Sequence, residues 1–460
     1  MIFGPIDFRD GWPLPTKPVT VKLISTRNRN IGLNDQSSDS PFYANLLHYH
    51  RFKVLKSGNP AMSLSLIRLA ALFLCLGGFA SSTSADDAIQ LPKLARLGVE
   101  SPLKIQVKGI AAGSYMGTIA DSGKQMIVQV GLGAAGADQA VMIVPADLEL
   151  TGQTLSLKPI ALKTQGVTIE DNGDSMQVNV GGKPFFSALA QSGNKPVIYP
   201  IYGPSGVEMT RNYPMKDVAG EQRDHPHQRS MWMTFGKVNN LDFWASDPIN
   251  GDKKHFGKIK VVSAEASQGP LAGSIRSDKE WLDHEGKLVL NERCTIVVYN
   301  LGDQRIMDAD FVLTAPDNAP VVFGDTKEGM FGLRVPSLLD TKAKKGGKIV
   351  NAEGIADDAA WGKSSSWVDY SGLIDGKTVG VAILNHPDSF RYPTHWHVRN
   401  YGLFAANPFG YKDFGLGKTG EYKLEAGKSV HFGYRVVFHN GRHDEAKIAD
   451  AFKAYAAGKP

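Results

Sequence analysis

Two short motifs place imidazoles at i, i+2 spacing: His225-Pro226-His227 in the run Glu221-Gln-Arg-Asp224-His-Pro-His, and His395-Trp396-His397 in Pro393-Thr-His-Trp-His-Val-Arg399. In extended chain alternate side chains share a face, so each motif would project two rings one way while Pro226 and Trp396 face the other. Rings so placed suit two chemistries. Neutral imidazoles can hold a metal through ring nitrogens, and imidazoles tuned near neutrality can act as general acid and base. The competing view is that these histidines only donate hydrogen bonds inside a polar core. Against it stands the density of ionisable groups around the first pair, Glu221, Arg223, Asp224 and Arg229, because such runs are seldom structural filler.

Further polar and aromatic runs lack the alternation of strands and read as loops holding a site. They include Arg211-Asn-Tyr213-Pro, Lys237-Val-Asn239-Asn240-Leu-Asp242-Phe-Trp244, Gly324-Asp-Thr-Lys327-Glu328-Gly329, Trp361 through Tyr370, and Arg391 through Tyr401 with Asn407-Pro-Phe-Gly410. Trp, Tyr, Asn, Asp, Arg and His in company suit a carbohydrate, whose apolar ring faces stack on aromatic rings while its hydroxyls take planar hydrogen bonds. The leading expectation is a carbohydrate-active enzyme of hydrolase, lyase or epimerase type. Asp224, His225, His227, His397 and Arg399 form its reactive centre, with Arg399 or Arg211 steadying a carboxylate or developing oxyanion. Tyr213, Asn239, Asp242, Lys327, Glu328 and Asn407 would bind substrate, and Trp232, Trp396 or Tyr401 would stack on it. A second expectation makes the site a divalent-metal centre for hydrolysis or oxygenation, with His225, His227, and His395 or His397 as ligands and Asp224 or Glu221 beside them. The third is a glycan-binding protein without catalysis.

The elements that must position these loops are strands. Runs such as Ser101 to Lys108, Gln125 to Val130, Gln139 to Pro145, Val167 to Glu170, Ser175 to Val180 and Lys195 to Pro200 recur about every ten residues, with no helical segments between them. That spacing predicts antiparallel sandwich rather than an α/β fold. The pattern continues through Gly257 to Val262, Thr295 to Tyr299, Met307 to Leu313, Val379 to Leu384 and His431 to Phe438. One helix is expected near the C-terminus, within residues 446–460, where Ile448, Ala451, Phe452 and Tyr455 recur at helical spacing before Gly458. The fold class is therefore all-β: a main β-sandwich over residues 186–445, preceded by a smaller β-domain over 86–185, a mutarotase- or lyase-like supersandwich being one form of it.

The first 85 residues read differently. Met62-Ser-Leu-Ser-Leu-Ile-Arg68 leads into the apolar run Leu69 to Ala80 and then Ser81-Ser-Thr-Ser-Ala85, the layout of a secretory signal peptide. The expectation is a leader over 62–85, a non-native extension over 1–61, and a periplasmic or extracellular protein. Of the 51 Lys and Arg and 46 Asp and Glu, residues 1–85 hold 9 and 4, which leaves 42 of each sign in the remainder. A neutral chain without a basic stripe excludes nucleic acid as an expected partner, and no apolar run after residue 85 is long enough for a membrane span. Cys294 is the sole cysteine after that point; an intrachain disulfide is excluded, and its place in Arg293-Cys-Thr-Ile-Val-Val-Tyr299 points into a sheet core.

The motifs together resemble an exported bacterial family that is labelled "methane oxygenase PmoA" and described as a domain of unknown function. The resemblance covers roughly residues 185–445 and rests on Tyr213-Pro-Met215, Asp224-His-Pro-His227, Val238-Asn239 with Asp242-Phe-Trp244, Gly324-Asp-Thr-Lys-Glu-Gly329, Trp367-Val-Asp-Tyr-Ser-Gly372, and Trp396-His-Val-Arg399 with Tyr401-Gly402. Where that family commonly reads a third histidine after Asp-His-Pro-His, this chain has Gln228. The resemblance implies a β-sandwich in the setting of sugar degradation. Methane oxygenation by an integral membrane subunit would need several apolar runs of about 20 residues, which the chain lacks after residue 85.

Overall fold

The computed structural model describes residues 89–132, 138–162, 164, 166–302 and 304–458, all within one compact unit, Ser82–Pro460. The leader expected over 62–85 and the extension before it lie outside the described residues. Nearly every regular element is an antiparallel strand, and the one α-helix among the described residues is Ile448–Ala457. The all-β expectation holds.

Two eight-stranded antiparallel sheets face each other. One runs, edge to edge, through His395–Val398, Leu403–Asn407, Gly329–Arg334, Met231–Phe235, Lys195–Ile201, Lys183–Ser192, Ser175–Val180 and Val167–Asp171; it is the site sheet. The other runs through Lys258–Ser267, Ala272–Leu282, Leu288–Tyr299, Gln304–Thr314, Ser429–Asn440, Lys377–Asn385, Trp367–Ile374 and Lys348–Asn351. Between them lies a core that includes Met231, Met233, Phe235, Phe331, Phe404, Phe311 and Phe432. In Ser429–Asn440 the inward residues Val430, Phe432, Tyr434, Val436 and Phe438 alternate with Arg435, Val437 and His439, as a pleat with period two demands. The second set is buried as well, because the outer face of this sheet is covered by Leu132 and Val141 of the N-terminal region and by Ile448 and Tyr455 of the helix.

The N-terminal six-stranded sheet ends with Thr154–Ile160. Val167–Asp171 and Ser175–Val180 belong to the site sheet, and Lys183–Ser192 runs across the boundary expected near residue 185. The Gly-Gly pair at 181–182 is a hairpin turn, with both glycines at positive φ, 57° and 74°. No helix among the described residues is long and apolar enough to cross a membrane. Cys294 is 3% exposed in the core, and burial pushes its thiol up to about 11, so it is an inert core thiol.

A candidate acid–base site on the outer face of the site sheet

Where inward residues of the site sheet fill the sandwich core, the alternate ones form a smaller cluster on the outer face: Val197, Trp232, Leu403 and Ala405, joined by Trp244 and by parts of Tyr199 and Tyr401. Register puts His397 opposite Ala405, Ala405 opposite Gly332, and Gly332 opposite Trp232, so these four form one row across four strands. Gly332 is required there, since a Cβ would stand 2.9 Å from the Trp232 ring and 3.2 Å from Trp244. The two tryptophans meet at 5.2 Å between ring centroids and make a floor, and the His227 ring lies 6.4 Å from Trp244.

The second His-x-His motif is a strand, as its spacing predicts. Trp396 turns into the core, donating its indole N–H to the Ser365 carbonyl, and both imidazoles take the outer face. The first motif is not a strand. His225 to Gln228 is a turn closed by the Gln228 N–H on the His225 carbonyl, with Pro226 in its second position and His225 at φ 45°. A left-handed residue carrying a side chain is costly by about 1–3 kcal/mol and persists where neighbours over-determine it. Here Arg211 over-determines it, fully buried beneath the turn, with N–H groups donated to the carbonyls of Asp224 (2.8 Å), His225 (2.9 Å) and Gln228 (3.1 Å).

Arg211 also donates to Asp224 Oδ1 at 2.7 Å, and a second buried arginine, Arg334, donates to the same oxygen at 2.7 Å and to the side chains of Gln222 and Gln228. The other oxygen, Oδ2, accepts from His225 Nδ1 at 2.7 Å. Burial by itself would raise the Asp224 carboxyl, but the His225 hydrogen bond and the charges of Arg334, His225 and Arg211 hold it well below the usual carboxylate range. A permanent carboxylate on Nδ1 fixes the His225 tautomer, leaving Nε2 as the basic nitrogen on a ring that is 42% exposed and stacked on Tyr401 at 5.2 Å and 3°.

His227, whose ring centroid is 5.7 Å from that of His225, has the opposite polarity. Its Nδ1 faces the Asn250 amide N–H at 3.3 Å, and that amide is oriented by a second bond to the Ala245 carbonyl. Neutral His227 therefore carries its proton on Nε2. Burial, then the nearby Lys195, His225, Arg211 and Arg334 charges, push it down to about 3. One ring thus offers a lone pair and its neighbour an N–H.

His397 stands across the floor. Its Nδ1 donates to the Lys327 carbonyl at 2.7 Å, and burial pushes it down to about 4 against the opposing pull of Glu328. His395 packs on Tyr411 and Phe414. His397 lies three strands from Trp232 in register, on the order of 14 Å at the usual strand spacing. Among the described residues no group of three or more His, Cys, Asp or Glu side chains is arranged to hold a metal ion. The four-histidine ligand set expected for His225, His227, His395 and His397 is not gathered as such a group: one pair lies on a turn and the other on an edge strand.

Several other expected contacts fall elsewhere. Arg211 is spent on the turn and Asp224, so it positions the dyad and does not face a ligand. Trp232 and Trp396 are 2% and 0% exposed, one in the floor and one in the core. Asn407 is wholly buried, bridging the Phe409 and Gly410 N–H groups to the Thr326 carbonyl. Asn239 makes a left-handed turn and accepts from the Val322 N–H. Tyr213 covers the Arg211 guanidinium at 5.5 Å. Glu221 caps the backbone N–H groups of Asn212 and Tyr213.

Glu328 and Lys327 pair at 3.1 Å on the cleft wall, and the Glu328 charge acts on His397, Tyr401 and Asp242. Burial raises the Asp242 carboxyl, which accepts from the Ala245 N–H. The hairpin between His395–Val398 and Leu403–Asn407 carries Arg399 and Tyr401, and the Tyr370 hydroxyl supports it on the carbonyls of Arg399 and Asn400.

Sequence reasoning missed three contributors. Lys195 is 1% exposed, its Nζ 3.5 Å from the Trp244 carbonyl and 5.9 Å from the Trp232 ring centroid; burial, with Arg229 adding to it against Asp247 and Asp242, pushes it down to about 7. Its one signal was a lysine opening an otherwise apolar strand. Asn250 was hidden in a loop between the marked runs, and Trp361 opened a run that the sequence marked without giving that ring a role. A separate cavity of about 330 Å³ lies between the two sheets, lined by Met176, Ile198, Met233, Ile296 and Phe311; of the outer-face floor residues Trp232, Trp244 and Gly332 it meets Trp232.

The sequence profile of a family described as "Family of unknown function (DUF6807)" matches residues 175–453. No curated protein matches the chain. Among solved structures, a galactose mutarotase related enzyme from Lactobacillus acidophilus is 11% identical, with 59% of this chain and 97% of that chain covered and a TM-score of 0.27. A putative aldose 1-epimerase from Klebsiella pneumoniae is 11% identical over 78% of this chain and 97% of that one, TM-score 0.29. A protein in glycosyl hydrolase family 38 from Enterococcus faecalis is 10% identical over 80% of this chain and 46% of its own length, TM-score 0.34.

Proposed function

The chain belongs to the DUF6807 family, whose function is unknown, and from that premise we propose that it is an exported carbohydrate-active enzyme that moves a proton at a sugar carbon or ring oxygen, in the manner of an epimerase or lyase. The observation that carries this reading is the Asp224–His225 dyad beside His227. Asp224 Oδ2 holds His225 Nδ1 at 2.7 Å, which leaves Nε2 as a base, while Asn250 leaves His227 with an N–H to donate. A base and a hydrogen-bond donor, on rings whose centroids are 5.7 Å apart, can act on one polyhydroxylated ring. Tyr401 and Trp361 supply aromatic surface, and Glu328 and Lys327 supply groups for hydroxyls. The signal-like order of residues 62–85 supports the assignment to the periplasm or exterior.

The direct test is incubation of the protein with a panel of aldoses and uronic acids in heavy water, read by proton NMR for anomer exchange and loss of C–H signals. Catalysed exchange is expected for at least one sugar, abolished in His225→Gln with the melting temperature kept. Exchange that survives His225→Gln, or exchange with no member of the panel, overturns the reading.

A further inference from the structure

Several charges around the site are matched in pairs, while Arg399 is not. Asp224 is shared by Arg211 and Arg334, Lys327 binds Glu328, and Arg229 binds Asp247 through two N–H groups at 2.6 and 3.0 Å. Among the described residues no carboxylate lies within ion-pair distance of Arg399, and its guanidinium makes no hydrogen bond; only its backbone is bonded, to Leu403, Gly402 and Tyr370. Arg399 is partly buried, and its guanidinium is held by rings instead, 5.6 Å from the Trp361 centroid and 5.8 Å from that of Tyr401. Those two rings in turn touch the rest of the site, Tyr401 stacking on His225 and Trp361 meeting His397 edge-on at 6.4 Å.

An arginine fixed by aromatic contacts, with its N–H fork unspent, is built for a planar anion. Its surroundings strengthen that preference. His227 and His397 remain neutral, and Asp224 carries two arginines, with the Glu221 charge also acting on Arg211, so Arg399 is left as a cation without a carboxylate of its own. We propose that the ligand of this cleft is an acidic sugar whose carboxylate docks on Arg399, placing the sugar ring between the His225–His227 turn and His397. This rests on the reading of the cleft as a sugar site and adds the substrate class. It also gives the chemistry a reason to work at carbon: a carboxylate pinned by an arginine makes the adjacent C–H more acidic, and His225 Nε2 is the base at hand.

The experiment is calorimetric titration of the wild-type chain, Arg399→Gln and Arg399→Lys with galacturonate, glucuronate and mannuronate, each against its neutral hexose, and with glucose 6-phosphate. At least one uronate should bind wild type about 10- to 100-fold more tightly than its hexose, the span of one charge-assisted pair. Arg399→Gln should erase that preference at unchanged melting temperature, and Arg399→Lys should restore part of it. Equal binding of uronate and hexose overturns the inference while leaving the sugar reading standing. Tighter binding of the phosphate keeps Arg399 as an anion site but overturns the carboxylate. Uronate binding through Arg399 without proton exchange overturns the acid–base reading alone. Binding of no probe overturns both.

Discussion

Asp224 Oδ2 accepts the Nδ1 proton of His225 at 2.7 Å while Asp224 Oδ1 is held at 2.7 Å by both Arg211 and Arg334. An aspartate so gripped cannot rotate or protonate near neutral pH, and the histidine it orients is the most accessible ring of the site.

Asp224→Asn should therefore keep the shape of the turn but remove the charge that fixes the His225 tautomer. Sugar-dependent proton exchange is expected to fall on the order of 10⁴-fold, the scale seen when a base loses its orienting carboxylate. The nitrogen NMR signals of His225 supply an independent readout, since the wild-type ring should hold its proton on Nδ1 and the variant should mix tautomers. Unchanged rate and unchanged tautomer would sink the assignment.

Arg334→Met leaves the Gln222 and Gln228 side chains and one side of Asp224 without a donor in a buried setting. Loss of one partner from such a network costs about 2–3 kcal/mol, toward the low end for a buried pair because Asp224 is partly exposed. Chemical denaturation should show that loss, and Arg334→Lys should not rescue it, because a point charge cannot replace the fork.

His397 gives stability a definite dependence on pH. Burial lowers it from an ordinary 6.5 to about 4, so between those values the unfolded chain takes up a proton that the folded chain refuses. Its share of stability is whole above about pH 6.5 and is lost as pH falls toward 4; His227, pushed down to about 3, acts in the same direction. The share of one such imidazole is at most about 3 kcal/mol. Thermal melts of wild type and His397→Gln at pH 7.5 and 4.5 check it, with the gap between the proteins expected to close in acid. Parallel decline of both would refute the link.

Lys195 predicts a trend at the alkaline end. Its amine is lowered from 10.5 to about 7, so between those values the unfolded state holds the extra proton and folded stability rises with pH. Lys195→Met, which keeps the stem against Trp232, should be the more stable protein at pH 7 and lose that advantage toward pH 10, by on the order of 5 kcal/mol at most. A constant difference between the two melting curves across that range would show that Lys195 titrates normally.

Much of this was legible along the chain. Strand positions followed from alternation: Gln125–Val130 and Ser175–Val180 occur with the bounds their patterns implied, and the 395–397 motif is a strand with its two rings on one face. Asp224, His225, His227, Arg399, Glu328 and Tyr401 were found because clusters of ionisable and aromatic residues without period mark loops that hold a site. The extended reading of His225-Pro226-His227 failed because proline also favours the second position of a turn, and a buried arginine below it selects that turn.

The sequence by itself determined the all-β class, the polar and aromatic loops that interrupt it and the core place of Cys294, because pleat period and local composition are properties of neighbours along the chain. Only the tertiary structure decided what those residues do. It set one histidine pair on a turn and the other on an edge strand, and it turned Arg211 from a ligand-facing cation into the anchor of Asp224. It also brought Lys195 and Asn250 beneath and beside His227. Hydrogen bonds and buried charges act across space, between residues up to about a hundred positions apart in Asp224 and Arg334, and no local pattern encodes such a pairing.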